Sequence, residues 1–210
     1  MKLPTSRIKG VYWESDYPYD LDDATASELG ELFDYVAQSY PEPEGRYISG
    51  GHAGISQLAQ NPRIALNALK LTHAVLGERT WAKDHFDLRE LIVQTVNLHF
   101  RSQYCFQAHV DVARRAGLTD EQQAMLSLWE TADHVYSDEH KLIIEYTLAV
   151  CSGVVPDAIF ARVVDRYGEK EAIECTAVIA TWAFWAMILN ATGTSFDFGF
   201  DKPVDDRSPA

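Results

Sequence analysis

The 210-residue chain is poor in basic residues. It has 18 Lys and Arg against 31 Asp and Glu, which gives a formal net charge of −13 at pH 7. Proteins that bind nucleic acids neutralise phosphates with clusters of Lys and Arg, and no run of basic residues in this sequence is long enough to form such a cluster. The sequence therefore predicts no nucleic-acid partner, and the dispersed acidic excess is interpreted as favouring solubility.

Cysteine is also scarce. The three cysteines, Cys105, Cys151 and Cys175, form an odd and widely spaced set, which is not typical of a disulfide framework. Disulfides are rare in reducing compartments. We therefore expect a cytoplasmic protein with free thiols.

Long apolar runs are missing as well. Residues 1–20 are polar and have no apolar central stretch, so we expect no secretory signal. The longest apolar run, near 177–191, is interrupted by Thr181 and Asn190 and is short for a membrane span. A buried helix explains this run, and we expect no membrane partner.

Strand patterns are absent, whereas helix signals are dense. Apolar residues recur with helical spacing from Asp22 to Ser39, and a capped helix is predicted to begin at Asn61-Pro62 and to end at Gly77. Residues 87–100 form another predicted helix, and 101–116 either continue it or restart after a kink. Further helices are predicted after Thr119, from Ser137 to Cys151, from Pro156 to Gly168, and from Glu169 to Ala191. The sequence thus predicts an all-α fold without a substantial sheet.

The best candidates for chemistry lie on the predicted helix after residue 100. Ser102, Cys105 and His109 are spaced i, i+3 and i+7, so they share one face, and Cys105 and His109 lie one turn apart. A thiolate is the reactive form of cysteine, and a nearby histidine can accept its proton. Glu90 lies on the preceding helix, where the residues alone favour a solvated polar stripe that continues through Gln94.

The stretch from Glu90 to His109 resembles the signature of the alkylhydroperoxidase D / carboxymuconolactone decarboxylase family. That signature is a Glu, then Cys-x-x-Cys, then a His one helical turn after the second Cys. The following segment 110–122 is similar to the family's usual continuation, as is the segment that starts at Tyr167 and leads into the long apolar helix. The resemblance covers residues 50–193 and implies a helical bundle, a homo-oligomer, and catalytic roles for Cys105, His109 and Glu90.

Ser102 occupies the position of the first motif cysteine, so the dithiol–disulfide cycle of the family is not available at this position. Three hypotheses remain. The first is a thiol-dependent, hydroperoxide-reducing oxidoreductase, in which Cys105 works alone with a His109/Glu90 proton relay and an external thiol reductant. A reactive Cys105 would have a depressed pKa. The second is a cofactor-free acid–base decarboxylase or lyase acting on a small carboxylated metabolite, with Arg101 and Arg46 as candidate cations. The third is an inactive oligomeric homologue.

A small-molecule substrate is the expected partner, bound with the help of Ser102, Tyr104 and Arg101. We expect neither a cofactor nor a metal site. The predicted organisation is an N-terminal extension with one helix (1–50), a helical domain of the carboxymuconolactone decarboxylase type (51–193) and a C-terminal arm (194–210).

Overall fold

The fold is taken from a computed structural model that describes residues 6–43 and 45–195. These residues form α-helices and three short 3-10 helices and no β-strand, which confirms the predicted all-α bundle. The α-helices are α1 (Asp23–Ser39), α2 (Ala53–Leu58), α3 (Pro62–Leu76), α4 (Trp81–Asp84), α5 (Phe86–His99), α6 (Gln103–Ala116), α7 (Asp120–Met125), α8 (Asp138–Ser152) and α9 (Asp157–Thr192). The 3-10 helices are Glu14–Asp16, Gly50–His52 and Leu126–Leu128. Most of the predicted C-terminal arm lies outside the described residues.

The predicted helix starts are confirmed by their caps. The Asp22 carboxylate accepts the backbone N–H of Thr25 at 2.8 Å, and the Asn61 side chain accepts the N–H of Ile64 at 3.1 Å. Such caps satisfy N–H groups that have no partner inside the first helical turn. The short helices α2 and α4 were not predicted, because their few residues carry too little periodic pattern.

The sequence left open whether residues 101–116 continue the preceding helix or start a new one, and the structure shows that a new helix starts. Helix α5 ends at His99, and Arg101 adopts a left-handed backbone with φ of 54°. Helix α6 then begins at Gln103 with Ser102 as its N-cap residue. The chain reverses there, so that α6 packs back along α5 and brings His109 to Glu90.

Helix α9 is interrupted at Gly168, where φ is 83° and ψ is 164°. This conformation is available to glycine without steric cost. The two predicted helices on either side of Gly168 are therefore confirmed as two segments that meet at a kink. Helix α9 is long and apolar enough to cross a membrane by length and composition, and half of its most apolar 18-residue window is buried inside the fold.

Two large apolar clusters make up the core, and α9 contributes to both. The first lies between α5, α8 and α9 and includes Trp182. The second lies between α1, α2 and α3 and includes Trp185. A small third cluster of buried residues is formed by Ala53, Tyr104, Cys105 and Leu189. It draws on α2, α6 and α9, and the candidate site lies beside it.

Candidate active site

Cys105 lies in the first turn of α6 and is 6 % exposed. The start of α6 is held in place by Tyr104, whose hydroxyl donates a hydrogen bond to the carbonyl of Gly50 at 2.7 Å and accepts one from the N–H of Ala53 at 3.4 Å. These bonds tie α6 to the turn Gly50–His52 and to α2. The cysteine is thus fixed at a junction of three elements.

Glu90 is fully buried, at 0 % exposure. The interpretation of a solvated polar stripe is wrong, because α6 and the side chain of Arg89 cover this face of α5. The Arg89 guanidinium donates two hydrogen bonds to Oε1 of Glu90, at 2.8 and 2.9 Å, and His109 bonds to Oε2 at 2.9 Å. A buried charge is tolerated only where it is paired and hydrogen-bonded, and the Glu90 carboxylate meets both conditions.

The contact with Glu90 selects the tautomer of His109. A carboxylate only accepts hydrogen bonds, so Nδ1 of His109 carries the proton that it donates to Glu90. In the neutral ring Nε2 is then unprotonated and can act as a base. The ring also contacts Trp182 edge-on, with centroids 5.6 Å apart. His109 is thereby oriented on two sides.

Cys105 and His109 line a common cavity of about 140 Å³. Most of its wall is aromatic or aliphatic, and no Lys, Arg, Asp or Glu of the described chain lines it. The aromatic residues are Tyr40, Tyr104, Trp182 and Trp185, and the aliphatic ones include Ile55, Leu69 and Leu189. Such a cavity suits a small, uncharged, largely apolar molecule.

Burial raises the pKa of the Cys105 thiol to about 11, and the side chain of Ser102 opposes this rise. This direction is opposite to the depressed pKa expected of a reactive cysteine. Burial likewise raises the pKa of Cys151 to about 11 and raises that of Cys175. The resting Cys105 is therefore a neutral thiol, and a nearby base must remove its proton before it can react as a nucleophile.

The structure brings together some of the predicted substrate-binding residues. Tyr104 lines the cavity. Ser102 is buried next to Cys105 but does not line the cavity. Ser102 and Arg101 both line a separate groove that runs from Asn97 to Gln107. Arg46 is engaged on the surface, where it pairs with Glu14 at 2.8 Å. Neither candidate cation lines the cavity.

Cys151 and Cys175 pack against or within the first apolar cluster, and neither lines the cavity. All three cysteines are free. Within the described residues, no three His, Cys, Asp or Glu side chains lie close enough to hold a metal ion.

Tyr40, directly after α1, and His52, in the turn Gly50–His52, are among the cavity residues that the sequence analysis missed. Both precede the segment that resembles the family signature. A histidine directly after two glycines and a tyrosine directly before a proline were the signals present, but nothing in their spacing connects them with Cys105.

No family model matches the chain. Its sequence is 30 % identical over 108 residues to the uncharacterized protein YdfG of Bacillus subtilis. The aligned segment covers 50 % of this chain and 73 % of YdfG. The chain belongs to the same family as YdfG.

The chain also resembles solved structures of the debrominase Bmp8. A cysteine-to-alanine variant of Bmp8 in complex with 2,3,4-tribromopyrrole has a TM-score of 0.64 at 18 % identity, over 92 % of this chain and 95 % of the other. The ligand-free Bmp8 structure has a TM-score of 0.62 at 19 % identity, over 85 % and 90 % of the two chains. At this identity the similarity shows a common fold.

Proposed function

We propose that the protein is a thiol-dependent enzyme of the alkylhydroperoxidase D / carboxymuconolactone decarboxylase type, in which Cys105 is the nucleophile and His109 its base. One observation carries the proposal. Cys105 and His109 face the same apolar cavity, and Nδ1 of His109 is bonded to the buried Glu90 carboxylate at 2.9 Å. A base that is oriented by a third group is typical of activated nucleophiles.

The chemistry begins with the neutral thiol. His109 takes the proton of Cys105 on Nε2, and the imidazolium that forms is stabilised by Glu90, its partner at Nδ1. The apolar wall opposes this transfer, because an isolated thiolate is poorly solvated there. The charges of Arg89 and Glu90 are already paired, so the protonated histidine adds one positive charge close to the thiolate.

The substrate we propose is a small organic hydroperoxide. The thiolate attacks the terminal oxygen, an S–O bond forms, the O–O bond breaks, and the alcohol leaves with a proton. Cys105 becomes a sulfenic acid, which two equivalents of an external thiol reduce to the starting thiol, with release of water and a disulfide. The cavity volume supports a compact substrate, because an apolar cavity of ~150 Å³ accommodates benzene.

A second candidate is reductive dehalogenation of a small halogenated aromatic ring. The aromatic walls of the cavity favour it, and the debrominase Bmp8, which shares the fold, has been solved with 2,3,4-tribromopyrrole. In this reaction the Cys105 thiolate takes the halogen from the ring, the carbon–halogen bond breaks, and the ring carbon receives a proton. An external thiol then displaces halide from sulfur, and a second equivalent restores the Cys105 thiol.

The decarboxylase alternative is less well supported. It requires a cation for the substrate carboxylate, and the described residues that line the cavity include neither Arg nor Lys. The inactive alternative is tested together with the thiol reactions, since it predicts no chemistry at Cys105.

The experiment exposes the reduced protein briefly to cumene hydroperoxide in the presence of dimedone, which traps sulfenic acids, and locates the adduct by mass spectrometry. We expect the adduct at Cys105 and not at Cys151 or Cys175, and its loss in Cys105→Ser. A parallel incubation with a brominated pyrrole and dithiothreitol measures bromide release. Labelling of Cys105 without bromide release supports the peroxidase, and bromide release without labelling supports the dehalogenase. The absence of both labelling and bromide release would contradict thiol chemistry at Cys105.

A further inference from the structure

Few polar side chains that line the cavity have a hydrogen-bonding group left for a ligand. Thr72 donates to the carbonyl of Ala68 at 2.8 Å and accepts the indole N–H of Trp185 at 2.9 Å. The Tyr104 hydroxyl is engaged by backbone on both sides. Besides Cys105 and His109, this leaves His52 as a cavity group able to form a hydrogen bond with a bound molecule.

His52 is held in one orientation by three contacts. Its Nδ1 bonds to the Ser49 hydroxyl at 2.9 Å, and its backbone N–H donates to the Ser49 carbonyl at 2.9 Å. Its ring lies against the ring of Tyr40, with centroids 4.1 Å apart. No described residue hydrogen-bonds to Nε2 of His52, so this nitrogen is available to a cavity ligand.

The side chain of Tyr40 is itself held in place by a hydrogen bond to His73. Its hydroxyl bonds to Nε2 of His73 at 2.8 Å, and Nδ1 of His73 bonds to the Tyr35 hydroxyl at 2.9 Å. Both nitrogens of His73 are occupied, so this histidine positions Tyr40 and does not face the cavity. The Tyr40 ring in turn restrains His52.

Burial lowers the pKa of His52, and the neighbouring His73 adds to this effect, while Glu42 opposes it. The ring is therefore neutral near pH 7. When Nδ1 accepts the hydrogen bond of the Ser49 hydroxyl, the single ring proton lies on Nε2. His52 then differs from His109, in which the partner at Nδ1 leaves Nε2 unprotonated.

We propose that His52 is a second catalytic residue, which donates a hydrogen bond from Nε2 to the leaving oxygen while Cys105 attacks the hydroperoxide. This inference rests on the proposed function. The thiol proton moves to His109, the S–O bond forms and the O–O bond breaks. The electron pair of the O–O bond stays on the leaving oxygen, where the Nε2–H of His52 stabilises the negative charge until this oxygen takes the proton from His109. The net reaction converts a thiol and a hydroperoxide into a sulfenic acid and an alcohol, and both histidines end in the protonation state in which they began.

The arrangement separates the base and the hydrogen-bond donor onto different elements. His109 projects from α6, whereas His52 belongs to the turn Gly50–His52, and both line the same cavity. Two neutral histidines with different partners at Nδ1 can hold opposite tautomers at one pH, so that one Nε2 accepts a proton and the other donates a hydrogen bond.

The test compares two oxidants that differ in their leaving group. Cumene hydroperoxide expels an alkoxide, whose concentrated charge needs a hydrogen-bond donor, whereas perbenzoic acid expels a carboxylate, whose delocalised charge does not. The single-turnover rate of sulfenic acid formation at Cys105 is measured for the wild type, His52→Phe and His52→Gln. Phe keeps a ring against Tyr40 without a donor, and Gln offers an N–H near the position of Nε2.

We expect His52→Phe to slow oxidation by cumene hydroperoxide by roughly 100-fold, the order of effect of losing one hydrogen-bond donor to a developing oxyanion, and to change the reaction with perbenzoic acid little. His52→Gln should recover part of the lost rate. His134→Phe is the matched control, because His134 is exposed, pairs with the exposed Glu121 and does not line the cavity. An unchanged thermal melting curve and an unchanged rate of Cys105 alkylation in His52→Phe verify that the site remains folded.

Equal losses with both oxidants would overturn the inference, since they would indicate a structural role for His52. No loss with either oxidant would overturn it as well, while leaving Cys105 as the nucleophile. A wild-type Cys105 that neither agent oxidises would overturn the peroxidase function itself, and the inference with it.

Discussion

His109 donates a hydrogen bond from Nδ1 to the fully buried carboxylate of Glu90, and this bond of 2.9 Å joins α6 to α5. It has two consequences. The bond leaves Nε2 of His109 as the basic nitrogen, and it places a negative charge where an imidazolium would form. Arg89 forms an ion pair with the other oxygen of the Glu90 carboxylate, so the charge of Glu90 is balanced before His109 is protonated.

Glu90→Gln tests the contribution of this charge. The amide keeps the size of the side chain but no longer stabilises a protonated His109, so we expect oxidation of Cys105 to slow by about 100-fold. Stopped-flow measurement with cumene hydroperoxide checks the rate. Glu121→Gln, at an exposed position, is the control and should react like the wild type. A Glu90→Gln variant as fast as that control would show that the charge is not used.

The reactivity of Cys105 towards a simple alkylating agent should depend on pH in a defined direction. Burial raises the pKa of this thiol from 9.0 to about 11, so the unreactive thiol prevails below that pH. We expect alkylation by iodoacetamide to be slow at pH 7 and to rise steadily towards pH 11. In urea the same cysteine should regain an ordinary profile with its midpoint near 9.0. A folded-state midpoint below that of the unfolded chain would contradict this account of the resting thiol.

Much of the fold was predictable because local signals determine where the helices start and stop. Asn61 caps its helix as predicted, the helix predicted from Asp22 starts at that residue's cap, and Gly168 separates the two segments of α9. The restart between α5 and α6 was left open, because the left-handed backbone of Arg101 has no clear signature in a residue that rarely adopts it. Short helices such as α2 lacked enough residues to show a period.

The site was predictable only in part. Cys105 and His109 share a helix face, so their proximity follows from spacing alone. The burial of Glu90 depends on α6 folding back over α5, which no pattern in α5 records. His52 and Tyr40 reach the cavity through packing of the N-terminal elements against α3 and α9, and such long-range contacts leave no periodicity in the sequence. Arg101, by contrast, lies near Cys105 in sequence but faces another groove.

Tyr104 should contribute to stability through its hydroxyl. The hydroxyl donates to the carbonyl of Gly50 inside the fold, and Tyr104 is only 4 % exposed. Tyr104→Phe leaves this carbonyl without its donor, so we expect a loss of ~1–3 kcal/mol in the free energy of unfolding. Urea denaturation measures it. Tyr19→Phe serves as the comparison, because Tyr19 is 60 % exposed and should tolerate the change. Equal stabilities of the two variants would contradict a structural role for the bond.

The predicted homo-oligomer has a candidate surface between α3 and α9. An apolar groove of about 630 Å³ runs there, and its exposed residues include Ile64 and Leu71, at 51 % and 59 % exposure. We expect light scattering to show an oligomer for the wild type and a smaller species for Leu71→Glu, because a charge at this position would be buried in the contact. A monomeric wild type would contradict the prediction.

The most direct test of the central claim is the single-turnover rate of Cys105 oxidation by cumene hydroperoxide in the wild type and in His109→Ala. If His109 is the base for Cys105, the rate in the variant should fall by roughly 10²- to 10⁴-fold at pH 7. It should recover partly when the pH is raised towards the pKa of the thiol, about 11, where the thiolate forms without a base. An unchanged rate at pH 7 would contradict the claim that His109 activates Cys105.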